Sequence, residues 1–320
     1  MNSQLQVSGR HSISVVTPVY NGEASIAELC RRLNEVLPQI ATEYEIILVN
    51  DGSRDRSWET ISELSSRFAT VRGLNLMRNY GQHNALLCGI RAAKYEVIVT
   101  MDDDLQHSPE EIQRLLEQLE QGFDVVYGTP KEEQNGFMRA LASRITRLAL
   151  GSAIGMNLAK NVSAFRVFRT QLREAFGDYQ TPFVSIDVLL TWATTRFTAL
   201  PVAFQPRYSG SSTYTFTKLV RHALDMMTGF STAPLQLASL IGFACTLFGL
   251  AVFLYVFTRY CLEGSVPGFP FLASIIAIFS GAQLFALGVI GEYLARIHFR
   301  TMNRPVYVVR SVSGEAKDLR

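Results

Sequence analysis

The sequence lacks several features that would assign it quickly to a functional class. It has only four cysteines in 320 residues. They form no Cys-x-x-Cys pair and show no metal-site spacing, which favours free thiols in a reducing compartment. The formal net charge is only +2, too mild for the concentrated basic face that nucleic-acid binding usually needs, so no nucleic-acid partner is expected. The N-terminal residues have no basic start followed by an apolar core, so no cleaved signal peptide is expected.

Charged residues are absent from two long stretches of the last third, between Asp225 and Arg259 and between Glu263 and Glu292. Each stretch exceeds the roughly 20 residues that a helix needs to cross a bilayer. We therefore predict a transmembrane hairpin at 229–298. Two buried core helices are the alternative, but little else in the chain could cover so much apolar surface.

Basic residues flank both ends of this hairpin, with Lys218 and Arg221 before it and Arg296, Arg300 and Arg304 near its end. By the positive-inside rule, both ends then face the cytoplasm and the short loop faces outward. The sequence therefore predicts a multi-pass protein of the inner (cytoplasmic) membrane. Its main domain, residues 1–228, and a tail, residues 299–320, would both lie in the cytoplasm.

The segment from Ser12 to about Gly128 alternates apolar runs of strand length with stretches of helical period. The strand-like runs are ISVVTPV, YEIILVN, VRGLNLM, EVIVTMD and DVVYG. Helices are predicted at Ile26–Leu37, after SRDRSW, and from Ser108, where Ser-Pro-Glu-Glu is typical of an N-cap, an N1 proline and a capping-box glutamate. This alternation predicts an α/β domain with a mainly parallel sheet covered on both faces.

The segment 137–156 is apolar with Arg139, Arg144 and Arg147 interleaved. A basic amphipathic helix on a membrane surface fits this pattern. A helix packed on the sheet, with its arginines in water, fits equally well.

Polar clusters fall at three of the strand ends: TPVYNGE at 17–23, NDGS at 50–53 and DDDLQ at 102–106. Ligands of open α/β sheets bind outside the carboxyl ends of the strands. The coincidence of the clusters therefore predicts a binding site there.

Three adjacent aspartates at a strand end suit a hard divalent cation, Mg²⁺ or Mn²⁺, which proteins hold with one or two carboxylates and substrate phosphates. The alternative is that they help to cap the helix at Ser108, but that helix has its own predicted cap. Asp51 could accept hydrogen bonds from a nucleobase or ribose, with Gly52 letting the backbone come close. Tyr20 could stack on a base and Asn21 could bond to it. Ordinary turns are the alternative for both clusters.

The motifs SVVTPVYNGE, YEIILVNDGSRDRS, NYGQHNALLCGI, VTMDDDLQHSPEEI and DVVYG, in this order, resemble the nucleotide-sugar domain of glycosyltransferase family 2. Later motifs are similar to those of the polyprenyl-phosphate glycosyltransferases within it: RYSGSSTY, STAPLQLASLIGF, SGAQLFALGVIGEYLARI and NRPVY. That group includes undecaprenyl-phosphate glucose and aminoarabinose transferases and dolichyl-phosphate mannose synthases. The likeness extends over residues 12–310.

The resemblance implies a GT-A (Rossmann-like) nucleotide-sugar domain with a C-terminal two-helix transmembrane hairpin. It also implies an inverting, metal-dependent transfer of a sugar from a nucleotide diphosphate, with a UDP-sugar favoured, to a membrane polyprenyl phosphate such as undecaprenyl phosphate. The product would serve cell-envelope glycan or lipid modification. Relatives of this group also imply a homo-oligomer, with a tetramer as the candidate.

The same resemblance assigns residues to the donor site. Asp51 would read the nucleobase, and Asp102 would lie near the ribose and pyrophosphate. The other residues assigned to nucleotide-sugar binding are Pro18, Tyr20, Asn21, Glu23, Gly52 and Asp103. Relatives often have a small residue at the position of Asp103, so its side chain is expected to face solvent.

The metal and the phosphates are assigned in the same way. Asp104 and Gln106, with Asp102, would hold Mg²⁺ or Mn²⁺. Arg207 would hold phosphate oxygens and act with Asp102 and Asp104 in catalysis. The remaining residues assigned to the acceptor phosphate are Arg78, Ser212 and Lys218. A phosphate acceptor is mostly dianionic near neutral pH, because its second pKa is about 6, so no dedicated general base is required.

The chain departs from the family pattern at three places. Gly22 intervenes before Glu23, Thr213 stands where a lysine is usual, and no acidic residue shortly precedes Phe165. A non-catalytic membrane scaffold with the same fold therefore stays an alternative. A processive polysaccharide synthase is another, but it would need more spans and a Gln-x-x-Arg-Trp motif.

Overall fold

The structure is a computed structural model that describes residues 11–130, 151, 161–181, 184–205, 232–263, 268–302 and 304–314. Arg207, Ser212, Thr213 and Lys218 lie outside the described residues, as does the predicted surface helix at 137–156 except for position 151. The strands are β1 His11–Val19, β2 Ala41–Asn50, β3 Val71–Leu76, β4 Val97–Thr100, β5 Val125–Pro130, β6 Arg166–Arg169, β7 Phe197–Val202 and β8 Val309–Ser313. The α-helices are α1 Glu23–Ile40, α2 Ser57–Arg67, α3 Gln82–Ala92, α4 Ile112–Glu120, α5 Ile186–Ala193, α6 Ala233–Glu263 and α7 Phe269–Thr301.

The described strands form one sheet in the order β7-β5-β6-β4-β1-β2-β3-β8. Strands β4, β1, β2 and β3 are parallel neighbours, as the strand–helix alternation predicts. The antiparallel strands β6 and β8 were not predicted; β6 lies between β4 and β5, and β8 lies beside β3. The parallel order brings the carboxyl ends of β1, β2 and β4 to one edge.

Both faces of the sheet are covered, because neighbouring side chains of a strand point to opposite faces. Val15 of β1 belongs to the core under α1, α2 and α4, whereas Val16 belongs to the core under α3 and α5. The buried side chains of α1, such as Ile26 and Leu33, recur at helical spacing. Because both faces of the sheet are buried, its strands are nearly continuous apolar runs in the sequence.

The capping box predicted at Ser108 does not form. Residues Pro109–Glu111 make a short 3-10 turn before α4, and Ser108 makes no side-chain cap. The Ser108 hydroxyl instead accepts a bond of 2.7 Å from Arg32 and donates to Glu110. Glu111 pairs with Arg114. Competing charged partners therefore take both side chains of the predicted box.

Helices α6 and α7 are long and apolar enough to cross a membrane by length and composition, at Pro234–Leu262 and Ile278–His298. Their mean hydropathies are 2.4 and 1.4, and none of either window is buried. The two helices pack on one another at Gly249, where an added Cβ would come within 2.7 Å of the Phe279 ring. Two exposed apolar helices of this kind fit membrane association.

The residues after α7 return to the sheet. The interval 299–320 was predicted to be a tail, but β8 pairs antiparallel with β3, with Leu74 opposite Val312. Val306 is buried on the way. An uncovered β3 would present unpaired backbone groups to solvent, and β8 satisfies that edge. Part of the expected tail is therefore an edge strand of the main domain.

Candidate active site at the carboxyl ends of the strands

The turn after β1 is held against the turn after β2. Asn21, at φ 55°, donates its backbone N–H to the Ser53 hydroxyl at 3.0 Å. Its side-chain oxygen accepts the Arg54 N–H at 2.9 Å. The Glu23 carboxylate accepts the Arg56 N–H at 3.2 Å. Two residues expected to contact the nucleotide sugar thus fix the second turn of the site.

Two other residues of the β1 region are placed differently. Pro18 is buried in β1 opposite Val49. Tyr20 is 47% exposed. The Tyr20 ring is therefore accessible for stacking on a base, whereas Pro18 shapes the end of the strand.

Asp51 is buried and binds the loop after β3. One carboxylate oxygen accepts the Tyr80 N–H at 2.7 Å and the other accepts the Gly81 N–H at 2.8 Å. Burial raises the pKa of this carboxyl, while the two N–H bonds and the Arg78 charge oppose the rise. The sequence did not indicate this bond, because the loop lies about thirty residues further along the chain.

Gly52 permits a close approach, as expected, but the group that approaches is this same loop. Its φ is +65°, and an added Cβ would lie 2.5 Å from both the Arg78 carbonyl carbon and the Asn79 nitrogen. Arg78 is exposed, with its guanidinium carbon 4.5 Å from the centre of the Tyr80 ring. The β2 turn and the loop 78–81 are therefore interlocked.

The acidic triplet follows β4, and its three members have different neighbours. Asp102 accepts a hydrogen bond of 2.6 Å from the Gln82 amide at the start of α3. Asp104 accepts the Gln106 N–H at 3.2 Å, across Leu105 at φ 58°. The loop therefore bends back on itself, and Asp102 and Asp104 have different hydrogen-bond partners.

Asp103 does not face solvent as expected. Its side chain is half-buried against Gly22, where an added Cβ would fall 1.9 Å from the carboxylate oxygen. Gly22 lacks a side chain and so leaves the room that Asp103 fills. Gly22 and Asp103 are therefore neighbours, although the sequence places them about eighty residues apart.

The donor set of this loop suits a hard divalent cation. Among the described residues, no group of three or more His, Cys, Asp or Glu side chains is placed to hold a metal ion. Two carboxylates and the Gln106 side-chain oxygen are nevertheless the ligand type of Mg²⁺ or Mn²⁺, which takes its remaining oxygens from substrate phosphates and water. The Gln106 carbonyl accepts the Gln205 N–H at 2.8 Å. The loop thus lies beside the segment that leads to Arg207.

The model of glycosyl transferase family 2 matches residues 14–179, which contain all three turns of this site. The chain belongs to glycosyl transferase family 2. This glycosyltransferase is similar over nearly its whole length to enzymes named undecaprenyl-phosphate 4-deoxy-4-formamido-L-arabinose transferase. The relative from Photorhabdus laumondii is 33% identical, with 95% of each chain covered. The relative from Pseudomonas aeruginosa is 34% identical, with 94% of this chain and 90% of that one covered.

Solved structures agree with the GT-A fold of this glycosyltransferase. One is glucosyl-3-phosphoglycerate synthase from Mycobacterium tuberculosis in complex with Mn²⁺, UDP-glucose and phosphoglyceric acid. Its TM-score is 0.51 at 15% identity, covering 68% of this chain and 78% of that one. At this identity the likeness shows the fold alone.

The structure of this glycosyltransferase adds a buried charged group that the sequence did not reveal. Arg166 of β6 is 2% exposed and pairs with Asp187 of α5. The Tyr127 hydroxyl donates to the same carboxylate at 3.1 Å, and burial raises the Tyr127 pKa well above its usual range. Arg166 lies opposite Thr100, two residues before Asp102. The acidic partner of Arg166 therefore follows it in the chain instead of preceding it.

Gln82 is a second residue that sequence reasoning missed. Its position after Gly81, at the start of the helix that contains the apolar residues 85–87, was the available signal. His83 accepts the Ile186 N–H at 3.3 Å. The first turn of α3 thus connects Asp102 to the start of α5.

Proposed function

We propose that this enzyme transfers a sugar from a UDP-linked donor to undecaprenyl phosphate. The observation that carries the proposal is the acidic loop 102–106, whose Asp103 lies against Gly22 in the turn after β1. That turn is bonded to the turn after β2, and the glycosyltransferase domain that holds them is joined to two apolar helices. The names of relatives that cover nearly the whole chain support the acceptor.

The first donor to test is UDP-linked 4-deoxy-4-formamido-L-arabinose, because relatives are named for that sugar. UDP-glucose is the second, since the mycobacterial neighbour was solved with it. The proposed role of Asp51 is to accept a hydrogen bond from the base. A carboxylate oxygen has two lone pairs, so the bonds from Tyr80 and Gly81 leave acceptor capacity and fix the carboxylate in place.

In the proposed reaction, Asp102, Asp104 and Gln106 hold Mg²⁺ or Mn²⁺ with the diphosphate of the donor. When bound, such an ion stabilises the negative charge that develops on the departing diphosphate. Arg207 lies in a segment outside the described residues and is proposed to bind phosphate oxygens with Arg78, Ser212 and Lys218. The acceptor phosphate attacks from the opposite face of the sugar, so the anomeric configuration inverts.

The membrane arrangement follows from the acceptor. We propose that α6 and α7 cross the inner membrane as a hairpin, with the domain 1–228 in the cytoplasm. An acceptor that cannot leave the bilayer is then delivered beside the site. The proposed assembly is a homo-oligomer, with a tetramer as the first state to test.

The test uses purified full-length protein in detergent with polyprenyl phosphate and radiolabelled nucleotide sugars. We expect labelled lipid with Mg²⁺ or Mn²⁺ and none after EDTA. Asp104→Asn should abolish labelling, whereas Asp178→Asn, at an exposed position, should not. Labelling that survives EDTA would contradict the metal assignment. If no donor labels the lipid, the proposal of a transferase to polyprenyl phosphate is wrong and a scaffold is favoured.

A further inference from the structure

Trp192, near the end of α5, is a large aromatic side chain that the domain leaves open. It is 53% exposed, more than any other large hydrophobic side chain that the structure describes outside α6 and α7. Leu189 and Leu190, which precede it in the same helix, are fully buried. A single exposed apolar residue is common on protein surfaces and needs no explanation. What distinguishes Trp192 is its position relative to the apolar helices.

The Trp192 ring is held in place by Tyr179. The two ring centres are 5.5 Å apart and the ring planes meet at 64°, which is the edge-to-face arrangement that aromatic pairs favour. The Tyr179 carbonyl accepts a hydrogen bond of 2.7 Å from Arg91, near the end of α3. The aromatic pair Tyr179 and Trp192 is therefore fixed on the domain, with much of the Trp192 surface facing outward.

This aromatic pair lies close to the end of α7. The Arg91 guanidinium carbon is 5.7 Å from the centre of the Tyr307 ring, and Tyr307 follows the last residue of α7 by six residues. Burial raises the pKa of the Tyr179 hydroxyl, and the charge of Arg300 opposes that rise. An exposed charge acts over about one Debye length, roughly 10 Å. Arg300, in the last turn of α7, is therefore a near neighbour of Tyr179.

The end of α7 sets the depth of the aromatic pair in the proposed membrane arrangement. The apolar window of α7 ends at His298, so Arg300 lies just beyond it, among the basic residues that flank the hairpin. Tryptophan and tyrosine are enriched at this level of membrane proteins, because an apolar ring with a polar N–H or O–H suits the boundary between headgroups and hydrocarbon. With the hairpin in the bilayer, the exposed Trp192 ring thus lies at the headgroup level.

Trp192 lies on the same face of the sheet as the hairpin and away from the candidate active site. Val306, just after α7, packs into the core under α3 and α5, whereas Trp58 of α2 packs against the core of the opposite face. The Thr194 hydroxyl donates at 2.6 Å to Asp124, which directly precedes β5. Trp192, two residues before Thr194, is therefore near the amino ends of the strands, and the acidic loop is at their carboxyl ends.

From this geometry we propose that the Trp192 ring inserts into the boundary between lipid headgroups and hydrocarbon, and so docks the face covered by α3 and α5 on the bilayer. The inference rests on the proposed crossing of the membrane by the hairpin. Tyr179 holds the ring in position, and the indole N–H is free to donate to oxygens of the headgroup layer. The partner is the bilayer surface itself, because the contact is made by apolar ring area and not by recognition of one headgroup.

The experiment places the full-length protein in nanodiscs of phosphatidylcholine with ordinary or brominated acyl chains, and measures tryptophan emission. Bromine on the lipid quenches a tryptophan that contacts the bilayer, whereas iodide quenches one that faces water. The chain has two tryptophans, so Trp192→Phe leaves the emission of Trp58 alone, and its difference from the unchanged protein is the emission of Trp192. Trp58→Phe measures Trp192 directly. Trp58, on the opposite face, is the matched control.

We expect brominated lipid to remove most of the Trp192 emission and to leave the Trp58 emission unchanged, and iodide to leave the Trp192 emission unchanged. Quenching of Trp192 by iodide alone would show that the ring faces water, and quenching by neither agent would show that a second copy of the chain covers it. Either result would overturn the docking proposal and leave the hairpin standing. Protein that does not enter nanodiscs would contradict the hairpin, and the docking proposal with it.

Discussion

Replacement of Gly52 by alanine tests the interlock between the β2 turn and the loop 78–81. A residue with a Cβ at φ +65° carries a backbone penalty of about 1–2 kcal/mol. The added Cβ would also lie 2.5 Å from two backbone atoms of Arg78 and Asn79. Backbone atoms cannot swing aside as a side-chain end can, so the loop must move.

Movement of that loop weakens the bonds from the Tyr80 and Gly81 N–H groups to Asp51, which measure 2.7 and 2.8 Å. A hydrogen bond to a charged group contributes about 1.5–3 kcal/mol. Loss of one such bond, added to the backbone penalty, gives a destabilisation of about 3–4 kcal/mol. For a domain of this size the melting temperature should fall by on the order of 10 °C.

The assay is thermal unfolding of the detergent-solubilised protein, followed by tryptophan fluorescence. Gly122→Ala is the matched control. Gly122 has a φ of +100°, but the one atom near its added Cβ is the end of the Arg196 side chain, at 2.7 Å. That variant should pay only the backbone penalty of about 1–2 kcal/mol. A fall in melting temperature for Gly52→Ala no larger than for Gly122→Ala would refute the interlock.

Two further substitutions test single contacts. Gln82→Ala should weaken Mn²⁺ binding in the presence of UDP by about 10- to 100-fold, because the amide orients Asp102, a carboxylate proposed to bind the metal. Calorimetric titration measures the affinity, and Gln113→Ala, at an exposed position of α4, is the control. Unchanged affinity in Gln82→Ala would contradict that role. Arg166→Leu should destabilise the protein by about 3–5 kcal/mol, because Asp187 is left buried without its charge partner. The double variant with Asp187→Leu should unfold at a higher temperature than Arg166→Leu alone, and a lower temperature would argue against the ion pair as the cause.

The central strands could be predicted from the sequence because each is a buried apolar run bounded by polar turns. The short strand β6 gave no such signal, since it has four residues and an arginine at each end. Its Arg166 is tolerated in the interior because Asp187 and Tyr127 surround it. These partners come from distant segments of the chain, so no local sequence pattern predicts them.

The candidate site was predictable in its location but not in its internal contacts. Strand ends in a parallel sheet converge for geometric reasons, so the three polar clusters could be placed together. Two contacts could not be predicted: the bonds of Asp51 to the loop after β3, and the packing of Asp103 against Gly22. Both depend on the folded positions of loops that are far apart in the sequence. The local sequence shows which polar side chains are present, whereas the tertiary structure determines which groups they bond to.

The pairing of β8 with β3 affects the order in which the sheet is completed during synthesis and the way the domain is connected to the apolar helices. A ribosome delivers both apolar helices before the edge strand, so the sheet is completed only after the hairpin has been synthesised. The catalytic domain is then tethered at two points, by the segment that leads into α6 and by the strand that follows α7. With the hairpin in the bilayer, as proposed, two tethers restrict the rotation of the domain more than a single linker would.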